Sequence, residues 1–337
     1  MAVVAVLRAL GLGDCCTAVP ALRGLARAFP DHRRVLAAPA WLAPLVDRAA
    51  TGFEVIDCDL RGAASPFPPL PSVFDGADVA VNLHGRGPQS TAALLASRPG
   101  RLLAFGEAGC PSWAAGEHEV RRWCRLLAGA AIPTDPDDLD IDVSADAALV
   151  PVADRGATIL HPGAASGARR WPVQRWAAVA RAEQAAGRRV LITGSGSEAA
   201  KAGRVAATAG LDAGAVRAGR TSLPALAGLL ATAGRVVCGD TGVAHLATAV
   251  RAPSVVLFGP TAPAEWGPPA HRPWHRALWA GRYGDPHAEV VDAGLLRISV
   301  ADVLAALADL PTAQEADGAG ARCTTLTTVT SSSSSGP

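Results

Sequence analysis

At 337 residues the chain is long enough for two domains, each with a sizeable core. Half of it is apolar, 18% is charged and the net charge is +1, a globular composition that excludes nucleic acid as the main partner. Seven scattered cysteines (15, 16, 58, 110, 124, 238, 323), with no CxxC pair, fit a reduced, cytoplasmic compartment.

The apolar N-terminus, 1–12, has neither a basic leader nor a plausible cleavage site, so it predicts a first buried strand, over 2–7, and not a signal peptide. It leads into Leu7-Arg8-Ala9-Leu10-Gly11-Leu12-Gly13-Asp14. The two glycines allow a tight turn with open backbone. Asp14 at the end of a first strand points into the cleft of an open α/β sheet, where it either serves as a general base or caps a helix starting at Cys15. A dinucleotide fingerprint is disfavoured because Cys16 stands at the third glycine position. Further strands are expected at 34–37, 53–56, 78–83 and 102–105, with helices at 15–28, 41–48, 89–97 and 118–130. After the fourth strand, Val81-Asn82-Leu83-His84-Gly85-Arg86-Gly87-Pro88-Gln89-Ser90 brings His84, Arg86, Gln89 and Ser90 to the cleft edge near Asp14. These donor-rich side chains suit a hydroxylated acceptor, or else mark a capped helix start at Gln89.

The acidic stretch Asp135-Pro136-Asp137-Asp138-Leu139-Asp140-Ile141-Asp142 surrounds a short alternating strand and separates the halves, with a boundary in 140–156. We therefore expect a first domain over 1–150, a second over 151–311 and a disordered tail over 312–337, which ends in Thr/Ser repeats. The D-x-D pair at Asp138/Asp140 sits in a linker and that at Asp57/Asp59 ends a strand without nearby His or Glu, so no metal site is expected.

In the second half strands are expected at 157–160, 189–193, 235–238 and 254–258, and helices at 173–186, 198–209, 223–231, 242–249 and 299–310. Strand–helix alternation with fully apolar strands predicts two parallel sheets, each covered on both faces, and a ligand cleft between them. His161-Pro162-Gly163-Ala164-Ala165-Ser166-Gly167-Ala168-Arg169-Arg170-Trp171-Pro172 leaves the first of these strands. Small residues there let a ligand approach the backbone, and the two arginine forks suit phosphate oxygens, unless the loop is simply solvated. Gly194-Ser195-Gly196-Ser197-Glu198-Ala199 is either a turn touching a ribose or phosphate or a plain tight turn; no acidic residue ends the strand expected at 215–217, which argues against NAD. The segment from Val236 to Ala247 reads as a buried strand, an Asp240-Thr241-Gly242 turn and an apolar helix carrying His245. Such a turn aims free N–H groups and a helix N-terminus at one point, which attracts phosphate. From Gly259 to Leu296 the chain is rich in Pro, Trp and His without clear periodicity; Trp266 and Trp274 are candidates for stacking on a sugar or base.

Gly13-Asp14 with Ala18-Val19-Pro20-Ala21-Leu22, His161-Pro162-Gly163 through Arg169-Arg170-Trp171-Pro172, Asp240-Thr241-Gly242-Val243-Ala244-His245-Leu246 and Leu257-Phe258-Gly259-Pro260-Thr261 occur in order. Together they resemble glycosyltransferase family 9, the heptosyltransferase family, from Val3 to about Leu310. The resemblance implies an α/β GT-B fold of two Rossmann-like domains facing across a cleft. It also implies an inverting transferase that uses neither metal nor cofactor and takes a nucleotide-sugar donor, with ADP-heptose leading. Asp14 then corresponds to the catalytic aspartate, with Gly13, His84, Arg86, Gln89 and Ser90 on the acceptor side. Ala164, Ala165, Ser166, Arg169, Gly194, Gly196, Glu198, Asp240, Thr241, Gly242 and His245 fall on the donor side. Arg169 stands where the family usually has a lysine, and Glu198 is the nearest residue to a ribose-binding glutamate. No basic patch for a phosphorylated lipid is evident, since Arg61, Arg86, Arg121 and Arg122 are scattered. A hydroxylated acceptor, either a cell-envelope glycan or a secondary metabolite, is expected instead. Peripheral membrane association stays open and the sequence sets no oligomeric state. The rival readings are a nucleotide-sugar epimerase, a non-catalytic nucleotide-sugar binder and, last, an NAD oxidoreductase.

Overall fold

A computed structural model describes residues 1–61 and 67–311. The tail expected to be disordered, 312–337, lies outside the described residues, as does Cys323. In the first half, β1 (Val3–Leu7), β2 (Arg33–Ala38), β3 (Glu54–Asp57), β4 (Val79–Asn82) and β5 (Arg101–Leu103) form a parallel sheet in the order β3-β2-β1-β4-β5. β1 lies at its centre, and Val4, Ala5, Val6 and Leu7 are fully buried, as a strand covered on both faces requires. The helices between are α1 (Leu12–Ala28), α2 (Ala43–Arg48), α3 (Gln89–Ala96) and α4 (Glu119–Gly129). α1 starts three residues before the expected Cys15, so Asp14 is not its N-cap but lies in its first turn. There its carboxylate accepts the Gly11 N–H at 3.2 Å, one of the donors a helix start leaves without a partner.

The acidic stretch holds no strand; Ile141 N–H donates to Ala249 O at 2.8 Å, and helix α5 (Ser144–Ala148) follows. Two of its carboxylates are taken up by arginines. Arg23 bonds Asp138, and Arg272 bonds Asp140 at 2.7 Å. The other D-x-D pair is likewise consumed: Asp57 accepts the Ala40 N–H at 2.8 Å, and Asp59 pairs with Arg61.

The second sheet comprises β6 (Thr158–His161), β7 (Val190–Ile192), β8 (Arg235–Gly239), β9 (Ser254–Phe258) and β10 (His275–Trp279), parallel in the order β10-β9-β8-β6-β7. β10 falls inside the segment read as aperiodic. It is an edge strand, and Arg276, Ala277, Leu278 and Trp279 are only partly covered or exposed, so it lacks the continuous apolar run of an inner strand. The strand expected at 215–217 is reduced to a single bridge between Ile192 and Val216. Helices α6 (Val173–Ala185), α7 (Ala199–Ala209), α8 (Leu223–Ala231) and α9 (Gly242–Ala249) cover this sheet, followed by α10 (Pro263–Trp266), α11 (Ala293–Arg297) and α12 (Val300–Ala308).

In each sheet the strand order reverses beside the first strand, between β1 and β4 and between β6 and β8. Crevices open at such points beyond the carboxyl ends of the strands. α1 packs along α9, and one apolar cluster runs from Val6, Val19 and Trp123 of the first half to Val236, Leu246 and Phe258 of the second. This shared core holds the two crevices face to face.

Candidate functional site

A cleft of about 1470 Å³ lies between the two sheets, and the turn after β1 and the turn after β8 meet on its floor. They touch at two glycines. A Cβ on Gly13 would stand 2.7 Å from the His245 ring, and one on Gly242 would stand 2.8 Å from Leu12 Cβ and 2.9 Å from Gly13 N. Only residues without a side chain allow this approach, which brings Asp14 and His245 to one place.

Asp14 lines the cleft with its side chain about one quarter exposed (28%). Beneath it lies Arg8, whose side chain is 1% exposed and whose Nη2 stands 3.2 Å from Asp14 Oδ1. Arg8 Nε donates to the Asp14 carbonyl at 3.0 Å, and Nη2 also donates to Thr17 Oγ1 at 3.1 Å and to buried Glu119 at 3.0 Å. Neither Arg8 nor Glu119 was singled out by sequence. A lone arginine beside an apolar run looks like a solvated charge until the fold brings α4 under it.

Across the cleft Asp240 is 5% exposed. Burial pushes its carboxyl up to about 6; the Arg169 guanidinium opposes the rise and the neighbouring Glu265 carboxylate adds to it. Arg169 donates to the Asp240 carbonyl at 3.2 Å and approaches its carboxylate at 3.9 Å. Ser166 Oγ donates to Pro286 O at 2.6 Å, which ties the 164–169 loop to the 283–289 segment forming the far wall. The Thr241 hydroxyl is buried and has no hydrogen-bond partner among the described residues. Thr241 stands at the N-cap of α9, whose first residues Gly242 and Val243 line the cleft, where a helix start leaves N–H groups without helical acceptors. Burial drives His245 down to about 4, so it is neutral at pH 7, and its ring meets Trp266 edge-on at 5.7 Å.

The Gly194–Glu198 turn lines the next stretch of the cleft. Glu198 accepts the Ser195 N–H at 2.7 Å and the Ser195 hydroxyl at 2.8 Å. Burial opposes its ionisation, yet these bonds and nearby His161 and Lys201 hold it below the ordinary range. His161, itself driven by burial to about 4, faces Thr193 Oγ1 at 3.0 Å.

Of the residues singled out by sequence, Gly13, Asp14, Ala165, Ser166, Arg169, Gly194, Glu198, Asp240, Thr241, Gly242 and His245 line this one cleft. Ala164 is buried just beneath it and Gly196 lies outside its lining. His84, Arg86, Gln89 and Ser90 do not line it. The reason is local. The Asn82 amide donates to Ser90 Oγ at 2.9 Å and to Thr91 Oγ1 at 3.0 Å, which turns the start of α3 inward, while Arg86 and Gln89 face solvent. His84 packs edge-on against Phe67, near enough to Arg8 and Asp14 to feel their charges. Trp266 lines the cleft, but Trp274 is 7% exposed in the core beside Arg251 and Arg272. Trp41, Arg61, Tyr283 and His287 also line it, and no sequence pattern flagged them as site residues.

The sequence profile of glycosyltransferase family 9 (heptosyltransferase) matches residues 103–287. The chain belongs to this family. Over 152 residues this family 9 chain is 38% identical to lipopolysaccharide heptosyltransferase 1 of Pseudomonas aeruginosa. That stretch is 44% of this chain and spans only 41% of the curated relative. The fold is similar to that of the E. coli ADP-heptose lps heptosyltransferase II, with a TM-score of 0.70 at 20% identity over 91% of this chain and 98% of that one. It is also similar to the E. coli heptosyltransferase WaaC with ADP, with a TM-score of 0.64 at 18% identity over 90% and 98% of the two chains. The fold is GT-B: two parallel-sheet α/β halves of five strands each. Among the described residues no helix is long and apolar enough to cross a membrane, and no three His, Cys, Asp or Glu side chains gather where they could hold a metal ion.

Proposed function

We propose that this family 9 chain transfers a sugar from a nucleoside-diphosphate sugar to an acceptor hydroxyl with inversion, in the cytoplasm and without a metal ion. ADP-heptose is the leading donor, since a similar structure was solved with ADP-2-deoxy-2-fluoro heptose. The observation that supports this reading most is the meeting of the Asp14 turn and the Asp240–His245 turn in one cleft, with Gly13 against the His245 ring. The donor diphosphate would lie at the start of α9, held by the N–H groups of its first turn, the unpartnered Thr241 hydroxyl and Arg169. Asp240 and His245, with Trp266 alongside, would face the sugar, and Glu198 with Gly194 would face the ribose.

Asp14 takes the proton from the acceptor hydroxyl as that oxygen bonds to the anomeric carbon. The bond to the diphosphate breaks on the opposite face, and the leaving group keeps its electron pair. Arg169 and the helix terminus offset the charge that builds there, the work a cation does in other sites. The acceptor is a hydroxylated glycan or small molecule of the cell envelope or of secondary metabolism.

Thermal unfolding with a panel of nucleotide sugars in EDTA tests this directly. ADP-heptose at 100 times its dissociation constant should add about 2.7 kcal/mol of stability, roughly 4 °C. No shift with any nucleoside-diphosphate sugar would refute the proposal, and a shift that requires a divalent cation would refute its metal independence.

A further inference from the structure

We propose that Arg8 is a positioning residue for the Asp14 carboxylate, itself anchored by Glu119, so that a buried Arg8–Glu119 pair fixes the group facing the acceptor. The proposal rests on reading Asp14 as the base. Burying a guanidinium is costly, and an apolar side chain of similar volume would fill the same space at the end of β1 without that cost. Arg8 is nevertheless 2% exposed and points at the site. Its Nη2 reaches Asp14 Oδ1 at 3.2 Å and Glu119 Oε1 at 3.0 Å, while Nε holds the Asp14 carbonyl at 3.0 Å and Nη1 donates to Leu83 O. One guanidinium thus grips the backbone and the side chain of Asp14 together, which fixes the rotamer as well as the charge.

Glu119 is fixed in turn. Trp123 Nε1 donates to its Oε1 at 3.0 Å, and Arg122 pairs with its Oε2. The Trp123 ring lies 4.8 Å from the Arg8 guanidinium carbon and closes the remaining side. The other titratable groups around Asp14 are Cys15 and Cys16 on its own helix, His84 from the loop after β4 and His245 from α9. Burial keeps both histidines neutral at pH 7. Among the described residues Arg8 is the one cation within ion-pair distance of the Asp14 carboxylate.

The test reads Asp14 directly, by NMR of protein carrying 13Cγ-labelled aspartate, with its resonance assigned by its loss in Asp14→Asn. At pH 7 this resonance should move and broaden in Arg8→Met, because the fork that holds the carboxylate in one rotamer is gone. Glu119→Gln, the milder change, should broaden it less. Arg8→Lys keeps the charge but should still broaden the resonance as the fork is lost. In parallel, release of ADP from ADP-heptose with water as acceptor should slow about tenfold or more in Arg8→Met, with the affinity for ADP unchanged. A resonance unchanged in both Arg8→Met and Glu119→Gln overturns the proposal. If Asp14→Asn abolishes ADP release and folded Arg8→Met does not slow it, the positioning role fails alone. If Asp14→Asn leaves release unchanged, the base assignment fails, and the hold of Arg8 on Asp14 is judged by the resonance.

Discussion

The turns after β1 and β8 are built alike, yet their carboxylates sit in opposite electrostatic settings. Each follows a buried central strand, uses glycine to admit the other turn, and puts an aspartate at the start of a helix that packs on its counterpart. Asp14 is partly exposed and has a guanidinium at 3.2 Å. Asp240 is buried and feels a second carboxylate, Glu265; burial and that charge push it up to about 6 against its guanidinium at 3.9 Å. A carboxylate with a firm countercharge and access to the cleft suits an incoming hydroxyl. One crowded and desolvated suits hydrogen bonds from a neutral polyol. Local sequence sets the turn, and the neighbours gathered by the fold set the chemistry.

The sharpest break in this contrast is Asp14→Asn. It should cut sugar transfer by about 10²- to 10⁴-fold while ADP affinity, read by calorimetry, stays the same. Unchanged turnover in the folded variant would remove Asp14 from the reaction. On the other turn Arg169→Ala should weaken ADP binding by about 10- to 100-fold, the worth of a charge-assisted hydrogen bond; equal affinity would contradict its contact with the diphosphate.

The glycines separate packing from placement. Gly242→Ala meets backbone at 2.9 Å and should cost about 1–3 kcal/mol in urea unfolding. Gly13→Ala meets the His245 ring, which can move, so its loss should appear in turnover before stability. Asp240→Asn works in the opposite sense. Between pH 3.8 and about 6 the folded state binds this proton more tightly than the unfolded chain, so the contribution of Asp240 to stability falls as pH rises through that window. The amide should therefore stabilise the protein at pH 7 by up to about 3 kcal/mol while weakening donor binding. Burial holds His84, His161 and His245 near 4, below the ordinary 6.5, so their contribution is present above 6.5 and is lost as pH falls toward 4. Melting temperatures should drop from pH 7 to pH 5, and Asp240→Asn should steepen the drop. A flat profile would mean that these rings are solvated.

Strand and helix alternation was legible almost throughout, because inner strands such as Val236-Val237-Cys238 are apolar without interruption and their turns carry glycine. The sequence concealed β10, whose edge position leaves Arg276 and Trp279 partly outside the core, and α5, a five-residue helix in the acidic linker. That most residues expected on the donor side would share one cleft was legible because they cluster in three short turns, each following a strand. Arg8 was not, since its meaning depends on Glu119, 111 residues away. The acceptor-side reading of 84–90 followed strand order correctly but could not foresee that Asn82 would draw Ser90 and Thr91 inward.

The apolar seam between α1 and α9 bears on how such an enzyme can be re-engineered. Swapping one half for that of another transferase would strand Val19, Leu22 and Leu246 against surfaces not shaped for them, so a chimaera has to carry α1 and α9 as a matched pair. Specificity is better grafted through the loops at 161–171 and 283–289, which shape the cleft wall and leave that seam intact.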